Sequence, residues 1–187
     1  MSFLSILFTA LNLSFALFIF FLTIAFVTGA PFVRSNKKAV DAMIRLAKIK
    51  KGTKVYDLGS GDATLLFRAA ALGATAVGLE INPFLVLWTW IKKMLSKRPK
   101  TGSNPEDRIT VHWKNFWNAD LHDADVVFVY LLPWRMEKLE SMLKTQCKPG
   151  TLIISNSFIF PNWKILRKEE ASHIYVFKIV DNPSSWA

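Results

Sequence analysis

A chain of 187 residues is long enough for one domain with a real core and too short for two of ordinary size. Its net charge of +10 is unevenly placed, because residues 1–33 contain no Lys, Arg, Asp or Glu. A single cysteine, Cys147, excludes an internal disulfide, nothing near it has metal-ligand spacing, and the composition fits a reducing compartment.

Residues 3–28, "FLSILFTALNLSFALFIFFLTIAFVT", form an uncharged stretch longer than the ~20 residues a helix needs to cross a bilayer's hydrocarbon core. Residues 1–30 therefore read as a transmembrane anchor. A cleaved signal peptide competes with that reading, but such a leader has basic residues before a shorter apolar region and a small-residue cleavage site after it. No basic residue precedes this segment, and Pro31 follows its small-residue site, Thr28-Gly29-Ala30. Arg34, Lys37, Lys38, Arg45, Lys48, Lys50, Lys51 and Lys54 are then opposed only by Asp41. Basic residues stay on the side of insertion, so a single-pass protein is expected, with its N terminus outside and its domain on the cytoplasmic or matrix-equivalent side. The basic segment, residues 31–52, suits anionic headgroups, at about 1 kcal/mol per charge near the surface. The tether makes nucleic acid the weaker candidate for this charge.

Within residues 31–52, Val40, Met43, Ile44, Ala47 and Ile49 recur at helical spacing, which predicts an amphipathic helix ending near Lys51-Gly52. The domain proper is expected over 53–187. "KVYDL" reads as a first strand, Ala63 to Leu72 as a helix stopped by Gly73, and "TAVGLE", 75–80, as a second buried strand. Asn82-Pro83 opens a helix rich in apolar and aromatic residues, and 97–107 is a surface loop by composition. "RITVHW", "DVVFVYLL" and "GTLIIS" make a third, fourth and fifth strand, with a helix at 134–145 between the last two. The remaining "WKILRKEEASHIYVFKIV" looks like two strands around a charged turn, adding an antiparallel edge. Short apolar strands separated by helices predict an α/β fold, Rossmann-like, with a mostly parallel seven-stranded sheet covered on both faces.

Such a sheet binds ligands beyond the carboxyl ends of its strands, near the first one. There the sequence has Asp57-Leu58-Gly59-Ser60-Gly61-Asp62, with Thr64 at the third glycine position of a dinucleotide fingerprint. Asp57 and Asp62 would repel a pyrophosphate. S-adenosyl-L-methionine, with its sulfonium, ammonium and ribose, suits acidic side chains beside bare backbone. Glu80 ends the second strand, where it can accept from both ribose hydroxyls. Asn115 with Phe116 and Trp117 could read and cover an adenine, and Tyr130 would face the same crevice. Ser60 and Asn82 lie in the same turns and are counted with the cofactor contacts. NAD is the rival ligand within this fold. No metal is expected.

These residues resemble the membrane-anchored lysine methyltransferases, a class I S-adenosylmethionine-dependent family that includes the mitochondrial enzymes acting on the ATP synthase c-ring protein and adenine nucleotide translocase. The likeness runs through the apolar N-terminal segment, "PFVRS", "DLGSGD", "GLEINPFL" at 78–85, "DVVFVYLLP" at 125–133 and "FIFPNW" at 158–163. It implies that Asp57, Gly59, Gly61, Asp62 and Glu80 contact the cofactor and that the acceptor is a lysine of a membrane-associated protein. The sequence departs from the family at Ala63-Thr64, where Gly-Arg is usual, at Asn115, where an acid is usual, and at Arg34, where Pro is usual.

Transfer to an amine needs a neutral nucleophile, an aligned approach and aromatic walls that favour the methylammonium product. Trp134 and Trp163 are the candidates for the wall, with Tyr130 and Asn156 as polar orienters. A membrane-bound small-molecule or lipid methyltransferase would use the same cofactor residues, and a silent cofactor-binding module is a further alternative.

Overall fold

The computed structural model describes residues 2–28, 35–96 and 104–181. Helix α1 (Phe3–Thr28) runs unbroken because no Pro or Gly interrupts it. Three of its polar side chains bond within the helix: Thr9 and Asn12 donate to Ser5 O and Phe8 O, and Thr23 to Ile19 O. The Phe3–Thr23 stretch, of mean hydropathy 2.2, is long and apolar enough to cross a membrane, and none of it is buried against the rest of the protein. Phe21 on its flank meets the Phe84 ring edge-on at 6.1 Å.

The sheet is built from β1 (Lys54–Leu58), β2 (Thr75–Glu80), β3 (Ile109–Trp113), β4 (Val126–Val129), β5 (Leu152–Asn156), β6 (Arg167–Glu169) and β7 (Ile174–Lys178), in the spatial order β3-β2-β1-β4-β5-β7-β6. The first five strands are parallel, and β7 runs antiparallel to both β5 and β6. The mostly parallel seven-stranded sheet expected from the sequence is present. The terminal hairpin forms the expected antiparallel edge, with β7 on its inner side and β6 outermost. Ile174, Val176 and Phe177 of β7 are fully buried and need a neighbour on each side, whereas the short, charged β6 suits an exposed edge.

Helices α2 (Lys37–Ala47), α3 (Thr64–Ala71) and α4 (Pro83–Ser96) belong to one face, where Val40, Met43, Leu66 and Val86 join Val55, Phe128 and Ile154 in one core. Helix α2 is thus part of the domain's core. It stops at Ala47, four residues before the expected end, because Lys48 turns left-handed (φ 51°). The opposite face carries α5 (Met136–Gln146) and the chain around Phe116, Leu121, Phe160 and Trp163, packed on Leu58, Val127, Val129 and Phe177. The crossovers leave the carboxyl ends of β1, β2, β4 and β5 side by side along one rim.

Candidate active site

At that rim Asp57 and Leu58 pair with Gly78 and Leu79 on one side and with Phe128 and Val129 on the other. The chain leaves β1 through Gly59 (φ 83°) and Gly61 (φ 53°), conformations open to glycine. The Gly59 and Ser60 N–H groups both donate to Leu79 O, at 2.8 and 3.2 Å, which folds the turn over the end of β2. Asp62 Oδ1 accepts from the Thr64 N–H at 3.1 Å and the Thr64 hydroxyl at 2.7 Å, fixing the start of α3. Lys92 Nζ reaches across from α4 to Asp62 O at 2.7 Å. Ala63 is fully buried and left-handed (φ 60°), a conformation that costs an L-residue about 1–2 kcal/mol and that glycine adopts freely.

Glu80 organises the site. Its Oε2 accepts from Gly61 N–H and its Oε1 from Asn82 N–H, both at 2.8 Å, while Asn82 Oδ1 accepts from Phe84 N–H at 2.9 Å. One carboxylate thereby ties the β1 turn to the first turn of α4. Burial raises the Glu80 carboxyl above its usual range, and the N–H donors of Asn82, Gly61 and Ile81 oppose that rise. Asp57 is also buried. Its carboxyl is pushed up to about 8, first by burial and then by the neighbouring Glu80 and Asp62.

Gly78 shapes the turn at the rim, a position that sequence reasoning missed. A Cβ there would lie 2.6 Å from both Leu66 Cδ1 and Ser60 Oγ, so the bare strand is what lets the turn settle on β2. A glycine within an apolar strand is the signal that could have found it. Ser60 Oγ is buried without a hydrogen-bond partner among the described residues. Two buried carboxyls, Glu80 raising Asp57, with an unsatisfied hydroxyl and open backbone at Gly59, together suit a cation bearing a diol and repel a phosphate. The donor set fits S-adenosyl-L-methionine on these grounds.

The other expected residues line the same rim or leave it. The Lys114 N–H donates to Glu80 O at 3.0 Å, which brings the exit of β3 beside Glu80. Next along, Asn115 Oδ1 accepts from the Trp117 N–H at 3.1 Å. The Phe116 ring is buried, 4.8 Å from that of Trp117. Tyr130 follows β4 and stacks on Phe158 at 6.4 Å, and Trp134, in the short helix 133–135, is largely exposed. Asn156 ends β5 buried, donating to Ser35 Oγ at 3.1 Å and accepting from the Ser157 hydroxyl at 2.9 Å. Trp163 is not brought to the rim. It packs against Phe160 at 4.5 Å and Phe177 at 6.0 Å, and Phe177 pairs with Ile153, three residues back from the strand's end. Its place is in the core beneath α5, because a large ring gains more from that burial than from facing water.

The sequence profile of the ANTKMT methyltransferase domain matches residues 57–167, beginning at Asp57 and covering more than half the chain. The chain belongs to the ANTKMT methyltransferase family. Among the family's relatives, the chain is similar to a protein-lysine N-methyltransferase of Saccharolobus islandicus, with 33% identity over 141 residues, 74% of this chain and 83% of that protein. It is also similar to a Mus musculus lysine N-methyltransferase named for the C component of ATP synthase, with 30% identity over 133 residues, 71% of this chain and 51% of that protein. The chain thus spans about half the length of the mouse relative. Among solved structures, an RNA methyltransferase from Salinibacter ruber in complex with S-adenosyl-L-homocysteine superposes with a TM-score of 0.73 at 31% identity, over 83% of this chain and 99% of that one. Membership of the ANTKMT family makes this chain a methyltransferase.

Proposed function

We propose that this methyltransferase takes its methyl group from S-adenosyl-L-methionine and delivers it to lysine side chains of a membrane-associated protein, while α1 anchors it in the bilayer. The observation that carries the cofactor reading is the buried pair Asp57 and Glu80, held at adjacent strand ends with Glu80 gripping the Gly61 N–H. Asp57 faces the ligand's ammonium, Glu80 its ribose hydroxyls, Ser60 and Asn82 the same edge, and Asn115 and Phe116 its adenine. Bound there, S-adenosyl-L-methionine supplies an electrophilic methyl group on a sulfonium, which a neutral lysine nitrogen takes in line as a neutral thioether leaves.

The chain's own contribution on the acceptor side is orientation, desolvation and a cation-tolerant wall. Tyr130 follows β4 and Asn156 ends β5, along the same rim as Asp57, where they orient the incoming amine. Trp134, exposed beyond them, offers an aromatic face to the product methylammonium. Lysine as acceptor is supported by the archaeal and vertebrate relatives named for that reaction. An RNA acceptor is the second reading, favoured by the Salinibacter ruber neighbour and the +10 charge. The membrane reading draws on α1 and on the basic stretch from Lys37 onward, which selects lysines close to the bilayer by raising effective concentration.

Calorimetric titration with S-adenosyl-L-methionine and mass spectrometry of membrane fractions from cells with and without the protein test the proposal. Saturable binding and new methyllysine on a membrane protein are expected. No binding sinks the cofactor reading, methylated RNA selects the second reading, and methylated lipid replaces lysine with a small-molecule acceptor. Deleting residues 1–30 leaves cofactor binding intact and weakens methylation of the membrane target; undiminished activity on that target removes the anchoring role.

A further inference from the structure

Helix α4 is amphipathic in the reverse sense from a soluble domain's helix. Its inward face holds Val86 and Thr89 against the sheet, with Lys92 and Lys93 extended along the body to donate to Asp62 O and Ile109 O. The outward face, at the spacing i, i+3, i+4, i+7, i+10, i+11, consists of Phe84, Leu87, Trp88, Ile91, Met94 and Leu95. These six side chains are 38–80% exposed. Residues 83–96 contain no Asp or Glu. A contiguous apolar stripe of this size on a folded domain marks an interaction surface rather than chance exposure.

The neighbouring helix shows what covers it. The stripe begins at Phe84, whose ring meets Phe21 of α1, and Phe21 lies seven residues before the end of the uncharged stretch at Thr28. At 1.5 Å per residue, the first turn of α4 therefore sits about 10 Å inside that end, a depth an interfacial helix reaches with its apolar face. Aromatic and aliphatic side chains on one face, the absence of acids and a basic flank are the composition of a helix lying in the headgroup–acyl boundary. We infer that α4 lies on the bilayer with its Phe84–Leu95 stripe immersed, as a second membrane contact beside α1 that turns the cofactor rim toward the lipid surface. The inference rests on the anchoring reading of α1, since both helices then meet one membrane. Glu80 and Asn82 link α4 directly to the β1 turn, so the docked helix holds the acceptor side of the rim at lysines just above the headgroups.

The test uses the full-length chain in vesicles of phosphatidylcholine and phosphatidylglycerol, carrying a bimane label at Leu87→Cys or Met94→Cys, with Leu166→Cys as control. Leu166 is about as exposed as Leu87 but precedes β6, at the sheet edge opposite β3. The native Cys147 is buried with its thiol pushed up to about 12, so it stays unlabelled. Flotation reports anchoring, and quenching by phosphatidylcholine with a doxyl group high on its acyl chain reports contact of α4 with lipid. Flotation with several-fold stronger quenching at positions 87 and 94 than at 166 is the expected result. Flotation with equal quenching at all three overturns the α4 contact alone and leaves the anchor standing. A blue-shifted label without lipid quenching shows that a second copy or another protein covers the stripe, which also overturns it. A chain that does not float overturns both readings.

Discussion

Asp57→Asn separates stability from function at the crevice. The Asp57 carboxyl stands at about 8 in the folded, unliganded protein, against 3.8 for the same group in solution. Between those values the folded protein keeps a proton that the unfolded chain gives up, so stability falls as pH rises through the window. At pH 7 this amounts to about 1.36 kcal/mol for each of about three pH units, or about 4 kcal/mol, and at pH 5 to about 2 kcal/mol. An amide of the same shape has no proton to hold. Asp57→Asn should therefore stabilise the unliganded protein by up to about 4 kcal/mol at pH 7, about 10 °C in melting temperature for a chain of this size, with a smaller gap at pH 5. Tryptophan fluorescence during thermal unfolding in detergent micelles measures it. A cationic ligand reverses the balance: it favours the ionised carboxyl, so S-adenosyl-L-methionine binding at pH 7 should release a proton, seen as a calorimetric heat that depends on the buffer. In Asp57→Asn that release should vanish and affinity should drop about ten- to a hundredfold, the worth of a charge-assisted hydrogen bond. An Asn variant no more stable than wild type at pH 7, or a gap that fails to widen from pH 5 to pH 7, refutes the reasoning.

Other outcomes follow from the same geometry. Gly78→Ala forces a Cβ against Ser60 and Leu66 and should lower the unfolding free energy by about 1–3 kcal/mol in denaturant titration while weakening cofactor binding beyond that loss. Trp163→Ala empties the core beside Phe160 and Phe177 and should cost about 3–5 kcal/mol, read as a lower melting temperature. Trp134→Ala, at an exposed ring, should stay within about 0.5 kcal/mol of wild type in stability and raise the KM for the acceptor without changing cofactor affinity. Ala63→Gly relieves about 1–2 kcal/mol of left-handed strain but gives up about 0.8 kcal/mol of buried methyl and adds unfolded-state freedom, so its unfolding free energy should move by less than about 1 kcal/mol.

Much of this arrangement is legible in the sequence where one local signal dominates. The uncharged run at 3–28 and the strand at 75–80 coincide with α1 and β2 because apolar content and the Gly or polar stops agree. Glu80 is legible from its place at the end of that strand. What the sequence withholds is decided by tertiary contact. The expected fourth strand runs to Leu132, but pairing ends at Val129, where the chain peels away at Tyr130 to stack on Phe158. The left-handed turn at Lys48 carries no residue preference that would announce it. Strand order places β7 between β5 and β6, a choice set by burial on both its flanks. Trp163 reads identically in sequence whether its ring faces a crevice or a core, and only Phe160 and Phe177 decide between them.

The two oxygens of Glu80 are each already engaged by a main-chain donor, one from either side of the rim. Glutamine, usually the mildest exchange for glutamate, would have to present its NH2 to one of those N–H groups, nitrogen against nitrogen, and the loops on both sides would part. Position 80 thus has room for a single chemistry, and any hydroxyl that reaches it would meet an acceptor whose posture is fixed beforehand.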